Sequence, residues 1–205
     1  MWAAVALGAL LLAAAIGGIA YAVTRGGGDD ASASGGVCQV QTVEAQGQGH
    51  VEKLPADFEP ASFPRATGPH DDQTVIYGEY RDPVPQMNLV HNLEHGAVAI
   101  QYGPDVPDDV VERLTNWYRV DPNGIVPAPL PDVEEAEELS DKIAMTAWVA
   151  ERDPEDDPSA EIEKQEGKLA VCSTFDEGDF EDFLDNYLGR GPELFTRDQM
   201  PPGSG

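Results

Sequence analysis

The first 24 residues of this chain restrict its architecture more than any later segment. Residues 2–23 are all apolar or small and carry no charge. At about 1.5 Å rise per residue, a helix of this length spans roughly the hydrocarbon core of a bilayer. We therefore predict a transmembrane anchor over residues 1–24. A cleaved signal peptide is the alternative, because residues 20–22 resemble a small-x-small cleavage pattern. Either interpretation predicts an extracytoplasmic domain, and the anchor makes it a single-pass protein of the cell membrane.

A flexible tether is predicted over residues 25–37, because positions 26–36 hold only Gly, Ser, Ala and Asp. One folded domain is predicted over residues 38–193. The remaining residues, 194–205, end in Pro-Pro-Gly-Ser-Gly and are expected to form a frayed tail.

The chain is strongly acidic, with 38 Asp and Glu residues against 12 Lys and Arg and a formal net charge of −26. This charge repels phosphate backbones, so we expect no nucleic-acid partner. The acids are spread along the whole domain, which is typical of proteins from salt-loving organisms. Molar salt shortens the Debye length to about 3 Å and screens their repulsion. A calcium-binding surface is the alternative explanation of the acidity.

Hydrophobic patterns predict an α+β domain, in which two or three helices cover a small mixed or antiparallel sheet. Five apolar or β-branched runs predict strands at 38–43, 74–80, 97–102, 143–149 and 168–174. Helical periodicity or composition predicts helices at 108–118, 132–140 and 180–188.

The chain has two cysteines, Cys38 and Cys172, near opposite ends of the predicted domain. In an oxidising compartment such a pair is expected to form one structural disulfide. The alternative is two separate buried thiols that pack as small apolar side chains.

All four histidines, His50, His70, His91 and His95, fall within 46 residues. His91 and His95 are four residues apart and therefore share a face of a helix or strand. Clustered imidazoles suit transition metals such as Zn and Cu, and Glu94 is expected to orient one of the ligating rings. The sequence therefore predicts a transition-metal site. The alternative is that these histidines bond to backbone within turns.

Residues 91–95 read His-Asn-Leu-Glu-His and fit H-x-x-E-H, the inverted zincin signature. Under this interpretation the protein is a metallo-hydrolase with Glu94 as general base; otherwise no catalytic residue is predicted. Pro85 could start and Gly96 could end a helix of about ten residues here. Two features argue against a protease: Gly96 leads straight into a predicted strand, and proteases of this class normally have a larger helical framework.

Several segments resemble the family named domain of unknown function 3105. They are residues 50–51, 66–70, 90–98, 101–102, 144–148, 180–187 and 191–193, and the run 91–96 is the most specific. The resemblance extends over residues 38–193 and includes all four histidines. Members typically carry an N-terminal membrane segment, which implies membrane anchoring here. The family brings no established activity and transfers no catalytic residue. The chain departs from typical members in its acidity and in a polar insert at 153–167, which is predicted to be a surface loop.

Three functional hypotheses follow, and we expect a binding domain rather than an enzyme. The first is a membrane-tethered extracytoplasmic domain that binds a transition metal, Zn or Cu, through the histidine cluster. The second is a metal-free interaction module or accessory subunit of a membrane protein complex. The third is the metallo-hydrolase.

Overall fold

The computed structural model describes residues 36–154, 157 and 159–205. The predicted anchor and most of the predicted tether lie outside these residues. Within the described ranges, no helix combines the length and the apolar character that crossing a bilayer requires.

A five-stranded mixed sheet forms the centre of the α+β domain. Its strands are β1 (Cys38–Glu44), β2 (Val98–Tyr102), β3 (Ile125–Pro129), β4 (Ile143–Arg152) and β5 (Ile162–Cys172). Their order across the sheet is β1-β5-β4-β2-β3, and only β2 and β3 run parallel. The helices are α1 (Gln86–Glu94), α2 (Asp108–Tyr118) and α3 (Glu177–Tyr187), with short 3-10 helices at Glu134–Leu139 and Arg197–Gln199. The predicted fold class, a mixed sheet with covering helices, is confirmed.

The two faces of the sheet carry different layers, because successive side chains of a strand point to opposite sides. On one face, Met145 of β4 belongs to a buried cluster with Leu114 of α2 and Phe180 of α3. On the other face, Trp148 of β4 belongs to a buried cluster with Leu93 of α1. We call this second side the α1 face, and it holds the histidines.

The strand predicted at 74–80 is wrong. The backbone N–H and C=O of Val75 both bond to the side-chain amide of Asn92, each at 2.9 Å. The backbone of Tyr77 bonds to residues 203–204 instead of to a strand. The groups that a strand would use for pairing are therefore taken by a helix side chain and by the end of the chain.

Strand β3 is absent from the sequence prediction, and two of its five residues are prolines, Pro127 and Pro129. Proline cannot donate a backbone hydrogen bond, so sheets accept it mainly at their edges. β3 is an edge strand and pairs with β2 alone. Its position in the sheet explains how a proline-rich strand is possible.

The polar insert at 153–167 is only partly a loop. β4 extends to Arg152 and β5 already begins at Ile162, so the two form a longer hairpin than the predicted strands at 143–149 and 168–174. The polar residues of early β5 occupy the exposed end of this hairpin, which explains why they resemble a loop in sequence.

The end of the chain is packed, whereas its composition predicts a frayed tail. Met200 is fully buried in the cluster of the α1 face. Its carbonyl accepts a 2.9 Å hydrogen bond from the Gly124 N–H, and Arg197 forms a 2.8 Å ion pair with Asp121. These long-range contacts are not visible in the local sequence.

The predicted helix at 108–118 forms with those bounds, and α3 begins three residues before the predicted start at 180. The predicted helix at 132–140 is a 3-10 helix over Glu134–Leu139. These segments supply helices in the expected order.

The predicted disulfide is present. Cys38 and Cys172 are bonded to each other and lie directly opposite in the β1–β5 pairing. The bond therefore joins the first strand to the last one across a sequence separation of 134 residues.

Candidate metal centre

Four side chains converge on the α1 face and form what we call site A: His50, His70, His91 and Glu94. Their possible ligand atoms all lie within 4.8 Å of one another. The three imidazole centroids form a nearly equilateral triangle with sides of 4.8, 4.9 and 5.1 Å. Three nitrogen donors and one carboxylate thus face a common point.

Helix α1 supplies two members of site A. Pro85 precedes its first residue, and Gly96 follows its end with a φ of 98°, a left-handed conformation that favours glycine. This matches the helix that the zincin-like interpretation required. Glu94 and His95 each lie about one turn after His91, and His95 caps the end of the helix.

His50 and His70 come from two loops that are joined by a parallel backbone bridge. The Val51 N–H donates to the His70 carbonyl at 2.7 Å, and the His70 N–H donates to the Gly49 carbonyl at 2.9 Å. His70 is fully buried, whereas the His50 side chain is 49% exposed. Site A therefore has a fixed inner ligand and a more accessible outer one.

His70 and Glu94 form a buried hydrogen-bonded pair. His70 Nδ1 donates to the Gly68 carbonyl at 2.9 Å, and Nε2 lies 2.9 Å from Glu94 Oε2. Burial alone would lower the pKa of His70, but the bonds to Glu94 and Gly68 outweigh it and the pKa is raised. Burial alone would raise the pKa of Glu94, but His70 and Gln48 lower it. A metal ion that replaces the Nε2 proton would meet two ligand atoms already aimed at one point.

A chain of hydrogen bonds connects Glu94 to the sheet. Gln48 donates to Glu94 Oε1 at 3.0 Å, and Gln165 of β5 donates to Gln48 Oε1 at 3.0 Å. The indole N–H of Trp148 then donates to Gln165 Oε1 at 3.2 Å. These bonds set the orientation of the carboxylate. Sequence reasoning missed both glutamines; the position of Gln48, two residues before His50, is the one available signal.

A second group, which we call site B, consists of His91, His95 and Glu193, with possible ligand atoms again within 4.8 Å of one another. His95 Nε2 lies 3.3 Å from Glu193 Oε2. The His95 ring stacks on Phe195 with centroids 4.1 Å apart and planes inclined by 10°. Burial and the neighbouring His91 lower the pKa of His95, so folding favours the neutral form of this imidazole. His91 belongs to both sites.

The position of Glu193 depends on a close approach of two backbones. Its N–H donates to the Glu94 carbonyl at 2.9 Å. Gly191 allows this contact, because a Cβ at that position would lie 2.3 Å from the same carbonyl oxygen. From β4, the Arg152 guanidinium donates to the carbonyl of Pro192. The segment is thus held between the end of α1 and the end of β4.

The structure brings together all five predicted site residues. Glu94, predicted to orient a ligating ring, contacts His70 and is also a member of site A. Sequence reasoning missed Glu193, although it lies in the segment 191–193 that carries the family resemblance. The H-x-x-E-H pattern is divided: His91 and His95 meet in site B, whereas Glu94 belongs to site A.

The fold and the site define an α+β domain with a histidine-rich candidate metal centre. A family model described as protein of unknown function (DUF3105) matches residues 57–199, and the chain belongs to this family. The matched range contains every residue of sites A and B except His50. No curated protein and no solved structure shows a significant match to the chain.

Proposed function

We propose that this protein is a membrane-tethered, extracytoplasmic domain that binds a transition-metal ion, Zn²⁺ or Cu²⁺, at site A. The observation that carries the proposal is the convergence of three imidazoles and one carboxylate from three separate segments. Imidazole nitrogen and carboxylate oxygen are ligands for both ions. Among the described residues the buried Nδ1 of His91 has no hydrogen-bond partner. A buried polar group is costly unless it is paired or coordinates a metal, which favours a ligand at this point.

The spacing of site A supports binding after a small contraction. Donor atoms of a tetrahedral zinc site lie about 3.4 Å apart, given zinc–nitrogen bonds of about 2.1 Å. The atoms of site A lie within 4.8 Å of one another, so the widest spacings would shrink by roughly 1 Å. The 2.9 Å between His70 Nε2 and Glu94 Oε2 would widen slightly. His50 follows Gly47 and Gly49 in an exposed part of its loop, and it can supply most of this movement.

In this proposal Glu94 is a metal ligand rather than a general base. Its side chain is 5% exposed, Oε1 accepts from Gln48, and Oε2 contacts His70. A base must reach a proton on the substrate or on a water molecule. An ion that displaces the proton between His70 Nε2 and Glu94 Oε2 would use this oxygen as a ligand while Gln48 still holds Oε1.

The apolar run at 2–23 supports the membrane tether, and the Cys38–Cys172 disulfide supports an extracytoplasmic location, because disulfides persist in oxidising compartments. Cell fractionation tests the tether. The full chain should remain with the membrane until detergent is added, and a chain without residues 2–23 should not. Recovery of the intact full chain in the soluble fraction would contradict the tether.

Metal analysis tests site A. The full chain is purified in detergent and high salt, without chelator or histidine tag, and is incubated with Zn²⁺ or Cu²⁺ before elemental analysis and titration calorimetry. We expect bound metal in the wild type, and an affinity at least about 100-fold lower in Glu94→Gln and in His70→Ala. Residues that only hydrogen-bond to a metal ligand already change the affinity about 10–100-fold when mutated, and the loss of a ligand itself should cost at least as much.

Glu112→Gln is the matched control, since it makes the same change of charge at an exposed position on α2. It should bind metal like the wild type. Circular dichroism shows whether each variant is folded, and Glu94→Gln keeps the size of the side chain if His70→Ala fails to fold. No bound metal in the wild type, or unchanged affinity in folded Glu94→Gln, would reject the metal site and favour the metal-free interaction module.

A further inference from the structure

We propose that site B binds a second divalent transition-metal ion beside the ion of site A, with His91 as the ligand shared by both. This inference rests on the proposed function, because His91 is also a ligand of site A. It adds Glu193 and His95 to the metal centre as ligands of a separate ion.

The ring of His91 lies close to imidazoles of both sites. Its centroid is 4.7 Å from that of His95, 4.8 Å from that of His50 and 5.1 Å from that of His70. His91 is 7% exposed, and among the residues that the structure describes its buried Nδ1 has no hydrogen-bond partner. The backbone of Asp71 lies near enough to the His91 ring to favour its protonated form. A buried nitrogen without a partner is unfavourable unless a ligand binds it.

A shared imidazole requires a defined change of protonation. A neutral imidazole has one lone pair, and binding a second ion requires loss of the remaining N–H proton to solvent. The resulting imidazolate has a lone pair on each nitrogen. Its negative charge and the two carboxylates then balance three of the four positive charges of two divalent ions.

Site B differs from site A in its access to solvent. The Glu193 side chain is 47% exposed and that of His95 is 15% exposed. Phe195 fixes the His95 ring by stacking, and the backbone bond to Glu94 fixes the segment of Glu193. Three protein ligands leave one position of a tetrahedral ion for water or an outside ligand, whereas four can close site A. The ion of site B is therefore the exchangeable one.

The stoichiometry of bound metal tests this inference in the full chain. After saturation with Cu²⁺ and dialysis, elemental analysis should find two equivalents in the wild type and one in Glu193→Gln. Glu112→Gln again serves as the control and should keep two. Electron paramagnetic resonance should show magnetic coupling between the two copper ions in the wild type and the full signal of isolated copper in Glu193→Gln.

The outcomes separate the two proposals. One equivalent in the wild type, unchanged in Glu193→Gln and lost in Glu94→Gln, would overturn the second ion and keep site A. Two equivalents in both the wild type and Glu193→Gln would overturn the assignment of Glu193 as a ligand of a second ion. No bound copper in the wild type would reject the proposed function together with this inference.

Discussion

Gly191 brings the chain that carries Glu193 into contact with the end of α1. The contact leaves no room for a side chain, because a Cβ at Gly191 would lie 2.3 Å from both the Glu94 carbonyl oxygen and the Gly96 nitrogen. Both are backbone atoms and cannot rotate away. At the scale of single residues, the missing side chains of Gly191 and Gly96 allow Glu193 to lie beside the end of α1.

Gly191→Ala should destabilise the domain by about 1–3 kcal/mol, the usual effect of forcing extra atoms into a packed site. Urea unfolding monitored by circular dichroism measures the change. Gly49→Ala is the control, because a Cβ at Gly49 would meet nothing within 4 Å. Equal stability of the two variants would show that the backbones near Gly191 can separate without loss.

At the scale of secondary-structure elements, β1 is joined to the sheet by one neighbour, β5, and by the disulfide. It is also the element that follows the predicted tether. The Cys38–Cys172 bond holds the strand to β5 independently of the backbone hydrogen bonds.

The double variant Cys38→Ser/Cys172→Ser should lose about 2–5 kcal/mol of stability, the usual effect of removing a native disulfide. The loop-entropy model attributes this loss to the larger freedom of the unfolded chain. Denaturant unfolding with and without reductant measures it. The wild type in reductant should match the variant; no difference between oxidised wild type and variant would contradict the prediction.

Lys164, Glu166 and Lys168 occupy alternate positions of β5 and therefore lie on the same side of the strand. Glu166 lies 2.7 Å from both Lys164 and Lys168, and Lys168 also donates to Thr42 of β1 at 2.9 Å. Burial alone would raise the pKa of Glu166, but the two lysines outweigh it and the pKa is lowered. The ionised carboxylate is therefore favoured by folding.

This pattern predicts a defined pH dependence. A carboxyl group whose pKa is lower in the folded state stabilises the fold at pH values above its ordinary pKa, which is 4.5 for glutamate. This contribution is lost as the pH falls through the lower pKa of the folded state. At neutral pH, Glu166→Gln should therefore be less stable than the wild type by about 1–2 kcal/mol. The difference should shrink as the pH falls below the ordinary glutamate value. A difference that does not change with pH would contradict the ion pairs.

At the scale of the whole molecule, the net charge of −26 acts against compactness. Three of the basic residues, Arg65, Arg152 and Lys168, are buried. They contribute little to neutralising the acidic surface. The described surface is thus more acidic than the composition alone indicates.

The midpoint of thermal unfolding should rise as KCl increases from about 0.1 M to about 2 M, because salt screens the repulsion between the acids. Replacing four exposed glutamates of the 3-10 helix by glutamine should make this midpoint depend less on salt. The four residues are Glu134, Glu135, Glu137 and Glu138. Differential scanning fluorimetry measures both, with sucrose as an uncharged control. Full stability at low salt would reject the halophilic interpretation of the acidity.

The sequence by itself determined features that depend on local pattern and composition. Periodicity located α2 and most of the sheet, the positions of Pro85 and Gly96 allowed α1, and charge counting described the acidic surface. The helical repeat placed His91 and His95 on one side. Such features are readable because a side chain's face is set by its own element.

Only the tertiary structure decided which segments meet. Loops joined by a backbone bridge bring His50 and His70 to α1, and the close approach at Gly191 brings Glu193 there from nearly 100 residues further along the chain. The same holds for the proline-rich edge strand β3 and for the segment 74–80, whose backbone bonds to a side chain. Local periodicity does not report contacts between distant segments, because they depend on the packing of the whole domain.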